Sequence, residues 1–207
     1  MSYPRGLMRF RLPGSRLLLV LVVLLGMVTS LPAAAQTESD KLLAQVLAAV
    51  SAKPLDATPF FERKISALFA RPLESKGILS FKPPGVLEKT TTSPIRERVS
   101  VTNDTITIQS GEAAAKIVRL EGQPTLQAFA QGVRAVVAGD IKPIRQYFEP
   151  QMTGSFNQWN LRLLPIDSAM KRVLKQIVVT GQGAQVRLIE TTEISGDVNE
   201  LTLLADR

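Results

Sequence analysis

Few residue types in this chain could do chemistry, because its 207 residues include neither cysteine nor histidine. The chain therefore has no Ser–His or Cys–His nucleophile pair, and zinc, haem and iron–sulfur sites lose their usual ligands. The remaining enzyme candidates are a lone serine, a Ser–Lys pair and two carboxylates: Ser155, Ser168 with Lys171, and Glu190 with Glu193. The sequence shows no residue that would orient any of them. We therefore predict no catalytic residue, no metal site and no cofactor.

The first 35 residues indicate where the protein works. Four arginines precede an apolar run at residues 17–28, and three alanines follow at 33–35. A basic segment, a short apolar core and a small-residue site are typical of a secretory signal peptide. We predict cleavage between Ala35 and Gln36, which delivers the protein to the periplasm. The alternative is an uncleaved membrane anchor, although a bilayer crossing takes roughly 20 apolar residues.

Residues 36–207 are long enough for a single domain with one hydrophobic core. The signal segment holds four of the 25 basic residues and none of the 18 acidic ones, so its removal lowers the net charge from +7 to +3. No dense basic cluster remains, which argues against a nucleic-acid partner. The absence of cysteine excludes disulfides and a lipid-modified N-terminal cysteine. We expect a monomer.

The elements that must position any site begin with an amphipathic helix. Apolar residues from Leu42 to Val50 fall on one helical stripe. Ser39 and Asp40 are good helix caps, and Pro54 marks the helix end. Strand-like segments follow from Phe60 onward, separated by Pro83 and Pro84.

A hairpin is the clearest local signal, at residues 99–108. Asn103 and Asp104 suit the two central positions of a tight turn that requires positive φ. This turn pairs Val101 with Ile106 and Val99 with Ile108, and it places all four side chains on one face.

Two helices are predicted next, followed by more strands. Pro124 suits the first turn of a helix that Gly139 ends, and Asp140 caps a shorter one. A single strand over residues 152–164 alternates Trp159, Leu161 and Leu163 with polar positions. A short helix then runs to about residue 174, and a hairpin turns at residues 195–197. Antiparallel strands with helices on one side indicate the α+β class.

The order of these motifs resembles the LolA-like family of outer-membrane lipoprotein carriers, and within it a LolA-related subgroup. The resemblance spans nearly all of residues 40–204. It rests on residues 77–87, Ser93-Pro94, the hairpin at 99–108, Ala138-Gly139-Asp140, Phe148, residues 159–165 and Gly196-Asp197. The sister LolB branch is anchored through a lipidated cysteine, which this chain lacks. Pro83 stands where the better-known carriers have a basic residue with an assigned role, so that role is not transferred.

The resemblance implies an unclosed antiparallel β-barrel with helices forming a lid over an apolar interior that shelters acyl chains. The expected cargo is a lipidated protein or an acyl lipid, passed from an inner-membrane exporter or release complex to an outer-membrane acceptor. The candidate lining residues are Leu79, Phe81, Leu87, Val99, Val101, Ile106, Ile108, Phe129, Val133, Trp159, Leu161 and Leu163.

Two alternatives stay open at this point. The same alternation describes a filled core, in which case the protein is a non-carrying interaction module or an accessory subunit of an exporter. The basic residues Lys82, Lys89, Arg96 and Arg98 either hold an anionic headgroup or form a solvated surface, and the pattern favours the solvated surface.

Overall fold

The computed structural model describes residues 32–82 and 85–204. The predicted signal segment lies outside the described residues up to position 31, as does the proline pair at 83 and 84. One compact unit begins at Thr37. No helix in the described part of the chain has both the length and the apolar character that crossing a membrane requires.

Eleven strands form one antiparallel sheet in the order β6-β5-β4-β3-β2-β1-β11-β10-β9-β8-β7. The two edge strands, β6 and β7, do not pair with each other, so the sheet is not closed. The α+β class and the unclosed sheet predicted from the sequence are therefore confirmed. The strands are β1 Thr58–Ile65, β2 Leu73–Lys82, β3 Val86–Ser93, β4 Glu97–Val101, β5 Thr105–Ser110, β6 Lys116–Arg119, β7 Phe148–Ser155, β8 Gln158–Pro165, β9 Leu174–Gln182, β10 Gln185–Glu193 and β11 Val198–Leu203.

The described helices are α1 Pro32–Ala52, α2 Pro124–Ala138 and α3 Ile141–Tyr147, with a single 3-10 turn at Met170–Arg172. Pro124 occupies the first turn of α2, and Gly139 ends it with a φ of 68°. The Asp140 side chain accepts a hydrogen bond from the Lys142 backbone N–H at 3.0 Å and so caps α3. These three predicted helix boundaries are confirmed, because each depends on a local rule of proline, glycine or aspartate chemistry.

The start of α1 differs from the prediction. The helix begins at Pro32, so Ser39 lies inside it. The Ser39 hydroxyl donates to the backbone oxygen of Met152 at 3.0 Å, which ties α1 to β7. At the other end of α1, the Phe81 backbone N–H donates to the Leu55 oxygen at 2.8 Å. A residue type that favours caps thus serves here as a tertiary contact.

The hairpin of β4 and β5 has the predicted register, with Val99 opposite Ile108 and Val101 opposite Ile106. The prediction of positive φ for Asn103 and Asp104 is wrong. Among the described non-glycine residues, Ala57 has a positive φ and these two do not. The Thr102 hydroxyl oxygen instead accepts from the Asp104 and Thr105 backbone N–H groups, at 3.3 and 3.0 Å. This side-chain closure of the turn is of the kind serine and threonine favour.

A second correction concerns the single strand predicted over residues 152–164. That region is a hairpin, in which β7 ends at Ser155 and β8 begins at Gln158. The predicted short helix near residue 170 is only the 3-10 turn. Strand β6 lay outside the predicted elements, because its four residues carry too little pattern to stand out.

We define the inner face of the sheet as the face that carries Phe60, Leu79 and Leu161. These side chains belong to one buried cluster with Leu43 and Val46 of the predicted α1 stripe. Because side chains alternate along a strand, the register of β1 with β11 places Leu201 and Leu203 on the same face as Phe60. The helices therefore cover the inner face and leave the opposite one to solvent.

Candidate functional site

A cavity of about 460 Å³ lies between the first half of α2, the 3-10 turn and β10. Its apolar lining residues are Leu126, Phe129, Met170, Val173 and Leu174. The polar remainder of its wall comes from Gln123, Thr125, Thr191 and Glu193, with Pro124 between them. Its size falls within the range of about 300–1,000 Å³ common for small-molecule pockets.

Local sequence rules explain how this wall is built. Leu126 and Phe129 are three residues apart and therefore share one face of α2. The 3-10 turn is fixed by Asp167, whose Oδ1 accepts from the Ala169 and Met170 backbone N–H groups at 2.8 and 2.9 Å. Capping by Asp167 thus buries Met170 beneath the cavity.

Two exposed apolar residues lie at or next to the wall of the cavity. Val173 lines the cavity and is 52% exposed, and Ile194 is 56% exposed. The Ile194 backbone N–H donates to the Val173 oxygen at 3.0 Å, so the two residues lie side by side.

A polar clasp, formed by Gln131 and Arg134, holds α2 against the turns of the sheet. The Gln131 amide nitrogen donates to the backbone oxygens of Thr102 and Asn103, at 3.1 and 2.8 Å. Arg134 donates through Nε to Gln131 Oε1 at 3.0 Å and through a terminal nitrogen to the Gly85 oxygen at 3.3 Å. Both side chains are buried, and the bond between them is shielded from competing water.

The twelve predicted lining residues fall into two groups. Leu79, Leu87, Trp159, Leu161 and Leu163 are buried in the core cluster. The other seven are half-buried: Phe81, Val99, Val101, Ile106, Ile108, Phe129 and Val133. The half-buried residues of β4 and β5 form a continuous apolar stretch of the inner face, since their registers align.

Phe129 is the member of this set that lines the described cavity. Trp159 lines a separate, polar depression near the β7–β8 turn. Its indole N–H donates to the Gly183 oxygen at 3.0 Å. Its ring lies where a side chain at Gly181 would be, since an added Cβ there would approach the ring within 2.1 Å.

Sequence reasoning missed Met170, Val173 and Leu174 as cavity residues. Their position depends on the 3-10 turn, which is too short to show a hydrophobic period. The available signal was Asp167, a capping residue followed closely by the apolar residue Met170.

A polar cluster interrupts the apolar inner face, and we define it as Glu62, Ser75, Lys89 and Asn199. The Glu62 carboxylate accepts from the Lys89 ammonium, from the Ser75 hydroxyl at 2.8 Å and from the Asn199 amide at 3.0 Å. Burial raises the pKa of Glu62, but the charge of Lys89 and these hydrogen bonds outweigh it and hold the pKa below its ordinary value. Lys89 therefore faces a fixed carboxylate on the inner face, contrary to the solvated surface that the sequence favoured.

The residues that suggested catalysis do not assemble into a site. Ser168 and Lys171 are both exposed next to the 3-10 turn, with no described hydrogen bond between their side chains. Glu193 lines the cavity and is exposed, whereas Glu190 accepts from the Thr192 hydroxyl at 3.4 Å. The described hydrogen bonds to these two carboxylates come from hydroxyl groups, and none joins either one to a basic or acidic partner.

Comparison with known proteins gives one family match and several distant structural similarities. A family model described as "Outer membrane lipoprotein carrier protein LolA-like" matches residues 32–207. None of the curated proteins compared with the chain matches it.

Three solved structures align with most of this chain at low identity. The LolA superfamily protein NE2245 from Nitrosomonas europaea is 11% identical, with a TM-score of 0.43, over 81% of this chain and 91% of that one. The MucA/MucB complex of Pseudomonas aeruginosa is 8% identical, with a TM-score of 0.39, over 80% of this chain and 55% of that one. A DUF1329 family protein from Desulfovibrio piger is 7% identical, with a TM-score of 0.36, over 80% of this chain and 91% of that one.

Proposed function

This chain belongs to the outer membrane lipoprotein carrier LolA-like family, and from that premise we propose that it is a periplasmic carrier of acyl chains. It binds the acyl chains of a lipidated protein or a related lipid without covalent attachment. It takes them from an inner-membrane release complex and passes them to an outer-membrane acceptor. It does no catalysis, and the signal segment at residues 1–35 directs its export.

The observation that carries this proposal is the apolar cavity between α2 and the sheet. Burial of one methylene contributes about 0.8 kcal/mol, so a tail of fifteen methylenes gains on the order of 12 kcal/mol from leaving water. The walls formed by Leu126, Phe129 and Leu174 offer that contact, and the exposed wall residue Val173 adds apolar area that is open to solvent. The half-buried residues of β4 and β5, from Val99 to Ile108, offer further apolar area on the inner face of the sheet.

A binding titration tests the proposal. Nile red is an uncharged dye whose fluorescence rises in apolar sites, and we expect saturable binding that long-chain fatty acids displace. Phe129→Glu places a carboxylate in the cavity wall and should abolish displaceable binding, because a charge among apolar groups repels a hydrocarbon chain. Gln127→Glu is the matched control, since it adds the same charge to the same helix outside the cavity lining.

The second candidate function is a non-carrying interaction module of an envelope exporter. It is favoured by the dense packing of Trp159, Leu161 and Leu163, which are at most 2% exposed. On that reading the inner face is a filled core, and neither fatty acid nor dye binds. Absence of displaceable binding in a folded wild-type protein supports this candidate and contradicts the carrier.

A further inference from the structure

The polar cluster places an ion pair on an otherwise apolar face of the sheet. Lys89 lies on β3 and Glu62 on β1, with β2 between them. An ion pair taken from water into an apolar face is often no more stable than the apolar side chains that could replace it. Its presence on this face therefore points to a role in addition to stability.

Gly77 lies on β2 between the two charged residues. It is opposite Phe60 on β1 and Thr91 on β3, on the diagonal between the two charges. A Cβ at Gly77 would lie 2.0 Å from the Thr90 oxygen, so the strands approach too closely there for any side chain. The Lys89 side chain passes over this gap, and its ammonium lies 5.3 Å from the centre of the Phe60 ring.

The two charged groups differ in how much hydrogen-bonding capacity each has left for a ligand. Glu62 accepts three hydrogen bonds and its side chain is 12% exposed, so it has little capacity for another partner. Lys89 is 27% exposed and has three N–H donors, of which the described hydrogen bonds use one. The cluster therefore presents a positioned cation with two donors available to a ligand.

The cluster adjoins the cavity through one pair of residues. Asn199 donates to Glu62, and it lies opposite Thr191 of β10 on the same face of the sheet. Thr191 is part of the cavity wall. Asn199 Oδ1 is buried and has no hydrogen-bond partner among the described residues. Polar groups thus continue from the edge of the cavity to Lys89.

We propose that Lys89, held in place by Glu62, binds the anionic oxygen group at the polar end of the acyl ligand. The hydrocarbon lies in the α2 cavity, and a carboxylate or phosphate oxygen accepts from the Lys89 ammonium. Glu62 is a positioning residue that fixes the ammonium and does not touch the ligand. This inference rests on the proposed acyl-binding function and adds the ligand's head-group chemistry.

The experiment compares ligands that share a tail and differ in the head. Nile red displacement at pH 8 is measured for palmitate against hexadecanol, and for palmitoyl lysophosphatidate against monopalmitoylglycerol. One hydrogen bond to a charged group is worth about a tenfold change in affinity at a partly exposed site. We expect the wild-type protein to prefer the anion by about tenfold in at least one pair, and the pair that responds distinguishes carboxylate from phosphate.

Variants assign that preference to Lys89. Lys89→Met leaves a buried carboxylate unpaired, so the double variant Glu62→Gln/Lys89→Met is measured beside it as a form without a buried charge. Both should bind the neutral ligands normally and lose the preference for anions. Glu62→Gln alone retains the cation but no longer fixes the ammonium, so it should bind the neutral ligands normally and show a weaker preference for anions than the wild type.

Two controls test whether any nearby cation has the same effect. Arg63 pairs with Glu200 at 3.3 Å on the opposite face of the same strand, and Lys64 is exposed on the inner face. Arg63→Met and Lys64→Met should leave the anion preference unchanged. A preference that survives the loss of Lys89, or disappears equally in these controls, overturns the inference. A wild-type protein that binds none of the four ligands contradicts the carrier function itself.

Discussion

The polar clasp of Gln131 and Arg134 should set how easily α2 opens away from the sheet. In Gln131→Leu, a side chain of similar size replaces the amide that contacts Thr102, Asn103 and Arg134. Three hydrogen bonds are lost, and each contributes about 1 kcal/mol net. The leucine recovers part of this by apolar contact, so we expect α2 to open more easily by about 2 kcal/mol, which is a roughly 30-fold change in the opening equilibrium.

Hydrogen exchange followed by mass spectrometry measures this opening directly. Amides of α2 and of the Thr102–Thr105 turn should lose about 30-fold in protection, while β8 and β9 keep theirs. Nile red should also enter the cavity faster, because Leu126 and Phe129 move with the helix. Gln127→Leu is the matched control, since it makes the same change on the same helix at a side chain with no described hydrogen bond. Unchanged protection in Gln131→Leu, or an equal loss in Gln127→Leu, would refute the clasp.

Three further predictions concern the sheet and the core. Leu161→Glu should abolish cooperative unfolding in urea, because Leu161 is 1% exposed and a charge there has no partner; a folded variant would show that this region is open. Gly132→Ala should lower the free energy of unfolding by about 1–3 kcal/mol through overpacking, since an added Cβ would approach the Phe148 ring within 2.1 Å; an unchanged urea midpoint would contradict the close packing of α2. The lowered pKa of Glu62 stabilises the fold above its unfolded value near 4.5, and that contribution disappears as the pH falls through the folded value. The stability difference between wild type and Glu62→Gln should therefore be largest at neutral pH and shrink toward pH 3, and a difference independent of pH would show that the ion pair adds nothing.

Local rules in the sequence predicted those parts of the fold that depend on neighbouring residues. Val99, Val101, Ile106 and Ile108 specify the β4–β5 register because a slip of one residue would turn all four away from the inner face. Gly139 predicts the end of α2 because it adopts a left-handed conformation there. The prediction of positive φ at the same hairpin turn was wrong because the Thr102 hydroxyl offers another way to close it.

Features that depend on distant residues could not be read from the sequence in the same way. Lys89 precedes a run of three threonines, and nothing near it in the sequence indicates a partner carboxylate 27 positions earlier. Gly77 lies between the two residues on the intervening strand, so three separate segments meet at one ion pair. The cavity wall at Met170 and Leu174 likewise depends on how a 3-10 turn docks against α2.

The assignment of the twelve lining residues to acyl binding remains a prediction. Alternation identifies one face of a sheet, but it does not distinguish a face packed by helices from one that receives a ligand. The β8 residues Trp159, Leu161 and Leu163 are packed by protein atoms, whereas Phe129 and the β4–β5 residues retain exposed apolar area. The second group is therefore where substitutions should affect ligand binding without unfolding the domain.

The most direct test of the carrier function is native mass spectrometry of protein recovered from the periplasm of cells that express the full-length gene. Our account predicts a bound species whose added mass matches an acyl lipid or a lipidated protein. That species should be absent from Phe129→Glu and retained in Gln127→Glu. A folded wild-type protein that carries no acyl ligand, and that takes up none when fatty acid is added, would contradict the account.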